Sequence, residues 1–397
     1  MLNIEDPASS STLTPLLRLA FRPLFLSGSI FSAIAMLLWL ALLQGWISLT
    51  PYGNMLLWHG HEMLFGFVAA IILGFLLTAV QNWTGITGIK GAPLLILAGL
   101  WLGARLLMLQ NQWLLLTAII DLLFIPLGGY FLARPLIQIR QYRNLIFIPV
   151  LFAMLLANGA FHYGVINDQA ALSQQALQLM IWLVVLIMTI LGGRVIPFFT
   201  ANGTKTPKAE PLKAIEIGTI ASTILLAIIL GLGIELPSVV ITSLLLLTGS
   251  LHLIRFIRWR TWITLSVPLL WSLHAAYAFI PLGIFAVAYS VNSELLSYAT
   301  ALHALSAGAM GTMIISMMAR VSLGHTGRPL QPAPLMSLAF AAIISAALIR
   351  VLGTWLLPVL TTHLWFAAAI IWCVGYTVFA VIYWPILSQP RADGRQG

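Results

Sequence analysis

The sequence predicts an all-α fold, a polytopic membrane helix bundle of about 12 transmembrane helices with both termini cytoplasmic. Three observations predict it. Of the 397 residues, 60% are hydrophobic and only 7% charged, against about 25% charged in a soluble domain. Too few charges remain to clothe a core of this size in water. The apolar residues fall in runs of the roughly 20 residues that cross a bilayer as a helix, whereas barrel strands are about half as long and alternate. Finally, Lys and Arg concentrate in alternate connections between the runs, the bias that marks cytoplasmic loops.

The runs follow in order. Arg18 and Arg22 precede the first, 23–44, and the second spans 57–80. Lys90 separates it from 93–109, which is followed by 113–133. Arg134, Arg140 and Arg143 lead into 145–165, and 175–191 closes the first group of six. Arg194, Lys205, Lys208 and Lys213 then surround a polar connection at about 200–213, the longest in the chain. The second six are 215–233, 237–257, 263–289, 296–319, 334–356 and 363–386. Arg255, Arg258 and Arg260, then Arg320 and Arg328, then Arg391 and Arg395 fill the alternate connections and the tail. On this assignment 17 of the 19 basic residues lie on the side of both termini, and only Arg105 and Arg350 fall opposite. The organisation expected is a cytoplasmic N-terminal segment (1–22), one membrane domain (23–386) and a cytoplasmic tail (387–397). No internal sequence repeat is visible.

Composition excludes several function classes. The net charge of +9 is scattered one to four residues at a time between apolar runs, so it reads as topology and not as a nucleic-acid surface. The single cysteine, Cys373, rules out an internal disulfide framework, a cysteine-ligated iron–sulfur cluster and a CxxCH haem attachment. The polar first 15 residues carry Glu5 and Asp6 and lack the basic region of a secretory signal, so the first run is expected to stay as an anchor.

Chemistry is suggested by ionisable residues inside the runs, which are expensive there. His59, His61 and His162 fall near the outer ends of their spans, with His303 slightly deeper. His274 is expected near mid-membrane, and His325 at the cytoplasmic edge. Neutral imidazole is a common ligand for iron and copper, and each ring can equally serve by bonding a neighbouring helix. His59 and His61 are two apart, so on a regular helix they point about 200° apart and cannot chelate one ion. Glu62 shares the face of His59, and Asn158 that of His162; either could orient its ring. His303, Ala307 and Gly311 form a stripe of small residues against which a flat macrocycle, or simply another helix, could lie. Asp121 is the one acid deep in a span, suited to a proton relay or to an ion pair with Arg105. Arg194, Arg320 and Arg328 flank Gly- and Pro-containing turns, where they could hold haem propionates or act as interfacial anchors. Met310, Met313, Met317 and Met318 suit either Cu(I) or plain packing.

Several strings then become recognisable. Trp58-His59-Gly60-His61-Glu62-Met63-Leu64-Phe65-Gly66, with Gly74 to Ala79 and Asn82-Trp83-Thr84-Gly85 downstream, resembles the NnrS family. So do Gly192-Gly193-Arg194-Val195-Ile196-Pro197-Phe198-Phe199-Thr200, the stretch from His303 to Met318, and Arg320 to Arg328. The resemblance implies a bacterial inner-membrane protein containing haem (b-type, non-covalent) and copper, associated with denitrification and tolerance of nitric oxide. It also implies that the ligands come from His59, His61, His162, His274, His303 and His325. Twelve spans and about six histidines also look superficially like haem–copper oxidases and nitric oxide reductases. The sixth span, however, lacks the histidine that begins their copper site, and no adjacent His-His pair occurs in the seventh.

Three functions are therefore expected to compete. The first is a haem- and copper-binding protein that binds, detoxifies or protects against nitric oxide. The second is a reductase of that gas, which needs an electron donor (quinol or cytochrome) and a proton path for which Glu62 and Asp121 are candidates. The third is a small-molecule or metal transporter. Nitric oxide is small, neutral and lipid-soluble, so a protein handling it needs neither a charged funnel nor a soluble domain.

Overall fold

The computed structural model describes residues 13–395, and every regular element among them is helical. In lipid each backbone N–H and C=O must be satisfied within its own segment, which these apolar runs achieve as helices. Twelve main helices follow in chain order: α1 Phe21–Leu43, α2 Met55–Thr84, α3 Ala92–Leu107, α4 Leu114–Gln138, α5 Tyr142–Ile166 and α6 Ala170–Thr204. The remainder are α7 Lys213–Ile229, α8 Ser238–Arg258, α9 Pro268–Asn292, α10 Tyr298–His325, α11 Pro334–Leu356 and α12 Pro358–Ser388. They coincide in order with the twelve predicted runs. Ten are long and apolar enough to cross a membrane. The exceptions are α3, with 16 residues, and α7, with 17, which at 1.5 Å per residue reach about 24–26 Å against a hydrocarbon core of about 30 Å.

Two boundaries differ from expectation. The sixth run was expected to end at 191 and to open into a loop from about 200, yet α6 runs 35 residues to Thr204 through Gly192, Gly193 and Pro197. A proline in a helix forfeits one backbone bond, whereas a chain break in an apolar setting exposes several. The connection shrinks to 205–212, and Arg194 lies inside a helix and not at a turn; Arg320 likewise lies within α10. The ninth run was expected from 263, but Thr261–Thr264 is a separate short turn and α9 starts at Pro268. That moves His274 from mid-membrane to the second turn of its helix. Residues 1–12 of the predicted N-terminal segment lie outside the described residues.

The chain forms two compact units. The first comprises Met1–Leu177, Met318–Gln331 and Tyr376–Gly397; the second comprises Gln178–Met317 and Pro332–Gly375. In the first, α1 packs along α2, α2 on the second half of α4, and α4 on α5. The carbonyls of Leu387 and Gln389 accept from Arg22 at 2.8 and 2.7 Å. In the second, α8 packs between α7 and α9, and the middle of α10 lies against α9 and α11.

Three helices carry a stretch of π-helix: Glu62–Val68 in α2, Ala304–Gly311 in α10 and Ile349–Gly353 in α11. Such widened turns concentrate where side chains are re-aimed for function. The first two begin immediately after His61 and His303. In the small-residue stripe below His303, Gly311 is covered by protein, since a Cβ there would meet the ring of Trp372, and the adjacent Gly308 is likewise closed by the ring of Phe279. Those glycines serve close packing.

Candidate metal centre

The first unit encloses a cluster of charge. His61, Glu62, Arg105, Asp121, Asn158 and His162 have between 0% and 3% of their surface exposed, so bulk water does not screen them. Four helices supply the cluster. Asn54 caps α2, its side chain accepting from the backbone N–H groups of Leu56 and Leu57 at 3.0 and 2.9 Å, and this fixes where the helix carrying His61 begins. Arg105 comes from α3, Asp121 from α4, and Asn158 with His162 from α5. Tyr52, in the α1–α2 connection, closes the cluster at the end of the unit where that connection lies.

Arg105 is the hub. Its Nη1 donates to Glu62 Oε1 at 2.5 Å, its Nη2 pairs with Asp121 Oδ1, and its Nε donates to the Trp101 carbonyl at 3.4 Å. The ion pair with Asp121 was one of the two expectations for that acid. Two carboxylates against one guanidinium leave one negative charge uncompensated. Asn158 Nδ2 donates to Asp121 Oδ2 at 2.6 Å, which turns its Oδ1 toward His61 Nε2 at 2.9 Å. Asn158 therefore orients His61, not the His162 beside it on α5. Glu62 meets His61 Nδ1 at 3.2 Å. His59, on another face, packs against Trp39 with the rings tilted and their centroids 4.6 Å apart. The two neighbouring histidines thus serve different surroundings.

The bonding of His61 decides what the cluster is built to hold. Nδ1 faces the Glu62 carboxylate; Nε2 faces both Asn158 Oδ1 and Asp121 Oδ2, the latter at 3.3 Å. Every one of these partners is an acceptor. A neutral imidazole has one N–H, so one ring nitrogen would set its lone pair against oxygen lone pairs. A second proton on the ring, which makes both nitrogens donors, or a metal ion beside Nε2 removes the conflict and neutralises the spare carboxylate. His162 Nε2 reaches the same Asp121 Oδ2 at 3.1 Å. One ligand atom each from His61, Asp121 and His162 lie within 4.8 Å of one another. For bonds of 2.0–2.1 Å, the edge of a tetrahedral site is about 3.3 Å, close to the two nitrogen–oxygen separations observed. The residues fit a single ion. They do not fit a macrocycle at this point, because the His61 ring packs against Phe65 and Phe161 at 5.0 and 4.5 Å.

The other predicted ligands lie apart from this cluster. His274 is held by two hydroxyls, Thr200 at 2.9 Å and Thr261 at 3.0 Å. His325 packs on Phe21 at 5.6 Å between ring centroids. His303 Nδ1 donates to the Ala299 carbonyl at 2.7 Å, which leaves the lone pair on Nε2. Arg328 reaches the Thr326 carbonyl at 3.5 Å, and Arg320 is largely buried. Sequence reasoning missed Tyr52, whose hydroxyl lies 2.9 Å from His162 Nδ1.

It also missed a second buried network, in the second unit. There Arg255 pairs with Glu216 and donates to Tyr277 Oη at 3.2 Å; Tyr277 donates to His252 Nδ1 at 2.9 Å, and His252 to Thr223 at 3.0 Å. Each group along that chain has a complementary partner, so the network is structurally self-sufficient. The first cluster leaves Glu62 Oε2 without a hydrogen-bond partner among the described residues, and His61 is satisfied there only with an added positive charge, a proton or an ion.

Comparison with known proteins bears on the whole chain. The model of the NnrS family, described as NnrS protein, matches residues 15–391. The chain belongs to the NnrS family. Among curated proteins no sequence matches it. In this NnrS-family protein two of the motif strings that carried the resemblance each place a glycine against an arginine. Gly66 ends the string at 58–66, and a Cβ there would meet Arg105 Nη1 at 2.5 Å and Phe31 at 3.0 Å. Gly193, in the string at 192–200, lies directly against the guanidinium of Arg255.

Proposed function

We propose that this chain is a multi-pass protein of the bacterial inner membrane, with both termini in the cytoplasm, that acts in the nitric oxide response by binding or removing nitric oxide at a metal centre. His61, Asp121 and His162 would hold the ion. The observation that carries this reading is the pair of ring nitrogens of His61, both aimed at acceptor oxygens in a sealed cluster with one spare negative charge. Membership of the NnrS family supports the link to nitric oxide. Two imidazoles and a carboxylate suit copper or iron, and three protein ligands are the number that leaves a position open to a small ligand. A copper or iron ion there supplies one-electron chemistry and an open coordination position for nitric oxide.

The chain's own residues do the rest. Glu62 accepts from His61 Nδ1 and fixes its tautomer, and Arg105 holds both carboxylates in place. The second oxygen of Glu62, buried and without a hydrogen-bond partner among the described residues, is where a proton can be held if nitric oxide is reduced with electrons from a quinol or cytochrome. Haem, which the packed triad does not accommodate, would draw on the remaining motif histidines. His303 is the best prepared, because its Nδ1–H is already committed to a backbone carbonyl, which fixes the tautomer that carries the lone pair on Nε2.

The test is metal analysis of the protein purified after growth with copper and iron, alongside His61→Ala, His162→Ala and Asp121→Asn. One ion per chain in the wild type, lost in all three variants, is expected. Addition of nitric oxide to the reduced protein should change its absorption or electron paramagnetic resonance spectrum. Wild-type protein without metal, or variants that all retain it, would overturn the reading. Consumption of nitric oxide with a reductant separates an enzyme from a binder.

A further inference from the structure

The two basic residues that break the charge bias, Arg105 and Arg350, have different fates. Arg105 is neutralised by Glu62 and Asp121. Arg350 lies in the π-helical stretch of α11 with its guanidinium carbon 4.8 Å from the ring centroid of Trp365. Its Nη1 is buried without a hydrogen-bond partner among the described residues. Nor is an acid at hand: from Leu295 to Ala392, which includes all of α10, α11 and α12, the sequence contains no Asp or Glu. Two arginines that are fully buried inside these helices are engaged, Arg22 by two carbonyls and Arg255 by Glu216. A guanidinium that is only half-buried on a spanning helix, with its Nη1 enclosed and unbonded beside an aromatic face, is costly there, and the aromatic face returns about 2 kcal/mol at most of that cost.

We propose that Arg350 anchors an anion-binding site in the second unit, taking the carboxylate or phosphate of a membrane-resident amphiphile. Its planar fork matches either group with two parallel hydrogen bonds. Two sources share this chemistry. One is the phosphate of an anionic lipid. The other is a haem propionate, because the Tyr298–His303 segment that ends in the prepared imidazole of His303 packs against Ile349–Gly353; that source rests on the haem reading above, whereas the lipid does not. The site shares no residue with the metal centre.

The experiment is thermal unfolding of the full chain in zwitterionic detergent, alone and with phosphatidylglycerol, phosphatidylcholine, haem or haem dimethyl ester, for the wild type and Arg350→Met. A ligand that binds only the folded state raises the midpoint by mass action. The wild type should gain several degrees from phosphatidylglycerol and not phosphatidylcholine, or from haem and not its ester. The first pattern identifies lipid and the second haem. Arg350→Met should lose that gain while unfolding, without additive, no lower than the wild type, because it discards an unpaired charge. Equal gains in both proteins, no gain in the wild type, or a lower midpoint for unliganded Arg350→Met would overturn the proposal. Metal content at His61, Asp121 and His162 is unaffected in either case, so this outcome is independent of the metal test.

Discussion

His162 shows how much depends on one proton. Without an ion its Nε2–H donates to Asp121, so Nδ1 accepts from the Tyr52 hydroxyl. An ion on Nε2 moves the proton to Nδ1; Tyr52 must then accept, and its own hydrogen turns toward the Leu114 carbonyl, 3.5 Å away. Tyr52 can take both roles and phenylalanine neither. Tyr52→Phe is therefore expected to weaken metal affinity by about 10–100-fold, measured by competition with a chelator; unchanged affinity would remove Tyr52 from the centre. Arg105 gives a stability prediction at the same scale. Removing one partner of a buried ion pair costs about 3–5 kcal/mol, so Arg105→Met should lower the unfolding midpoint and release the metal, whereas a midpoint equal to wild type would show that the carboxylates do not need it. Sequence singled out His61, Glu62, Asp121 and His162 one at a time. It paired Glu62 with His59 and Asn158 with His162 because same-face spacing within a helix was the available rule, whereas Glu62 meets the adjacent His61 and Arg105 of α3, and Asn158 meets His61 and Asp121 of other helices.

At the scale of elements, glycine does what charge cannot. Gly66 sits in the π-helical part of α2 and leaves the space that the Arg105 guanidinium fills. Gly66→Ala forces a methyl group into that space, an overpacking expected to cost about 1–3 kcal/mol; thermal unfolding and metal content together would register it, and a variant normal in both would refute the cradle. The tail supplies a pH dependence. Arg391 Nη1 donates to the His325 carbonyl, Ala392 N–H to the Thr326 carbonyl, and Arg391 grips Asp393 at 2.6 and 2.9 Å. The hydrogen bonds from Arg391 hold the Asp393 carboxyl well below the usual aspartate range. A depressed carboxylate lends stability that is complete above its unfolded value of about 3.9 and is lost as pH falls through the folded one. Tail docking should therefore be constant from neutral pH down to about 4 and weaken only in stronger acid. Cleavage after Arg391 by trypsin at neutral pH should rise in Asp393→Asn, and equal cleavage would show that the carboxylate does not hold the tail.

For the whole molecule, the orientation is open to direct measurement. Placed in a Cys373→Ser background, a cysteine at Lys208 should react with an impermeant maleimide only after the membrane is opened. One at Trp46, in the α1–α2 connection, should react from outside in intact cells. The reverse pattern would invert the topology and put the metal centre at the cytoplasmic end. Glu216, Arg255 and Tyr277 form a buried network at this scale that no local pattern foretold, since they come from α7, α8 and α9 and meet only when those helices pack.

Run length, composition and the placement of Lys and Arg determined the helical class, the order of the twelve segments and the kind of ligand atom on offer, because the demand of lipid for internally bonded backbone acts on each segment separately. Packing decided the rest. Whether Asp121 faces Arg105, which ring His61 shares an oxygen with, and which aromatic face Arg350 lies on are questions about neighbours from other helices. Hydrogen bonds form only within a few ångströms, a distance that sequence separation does not encode.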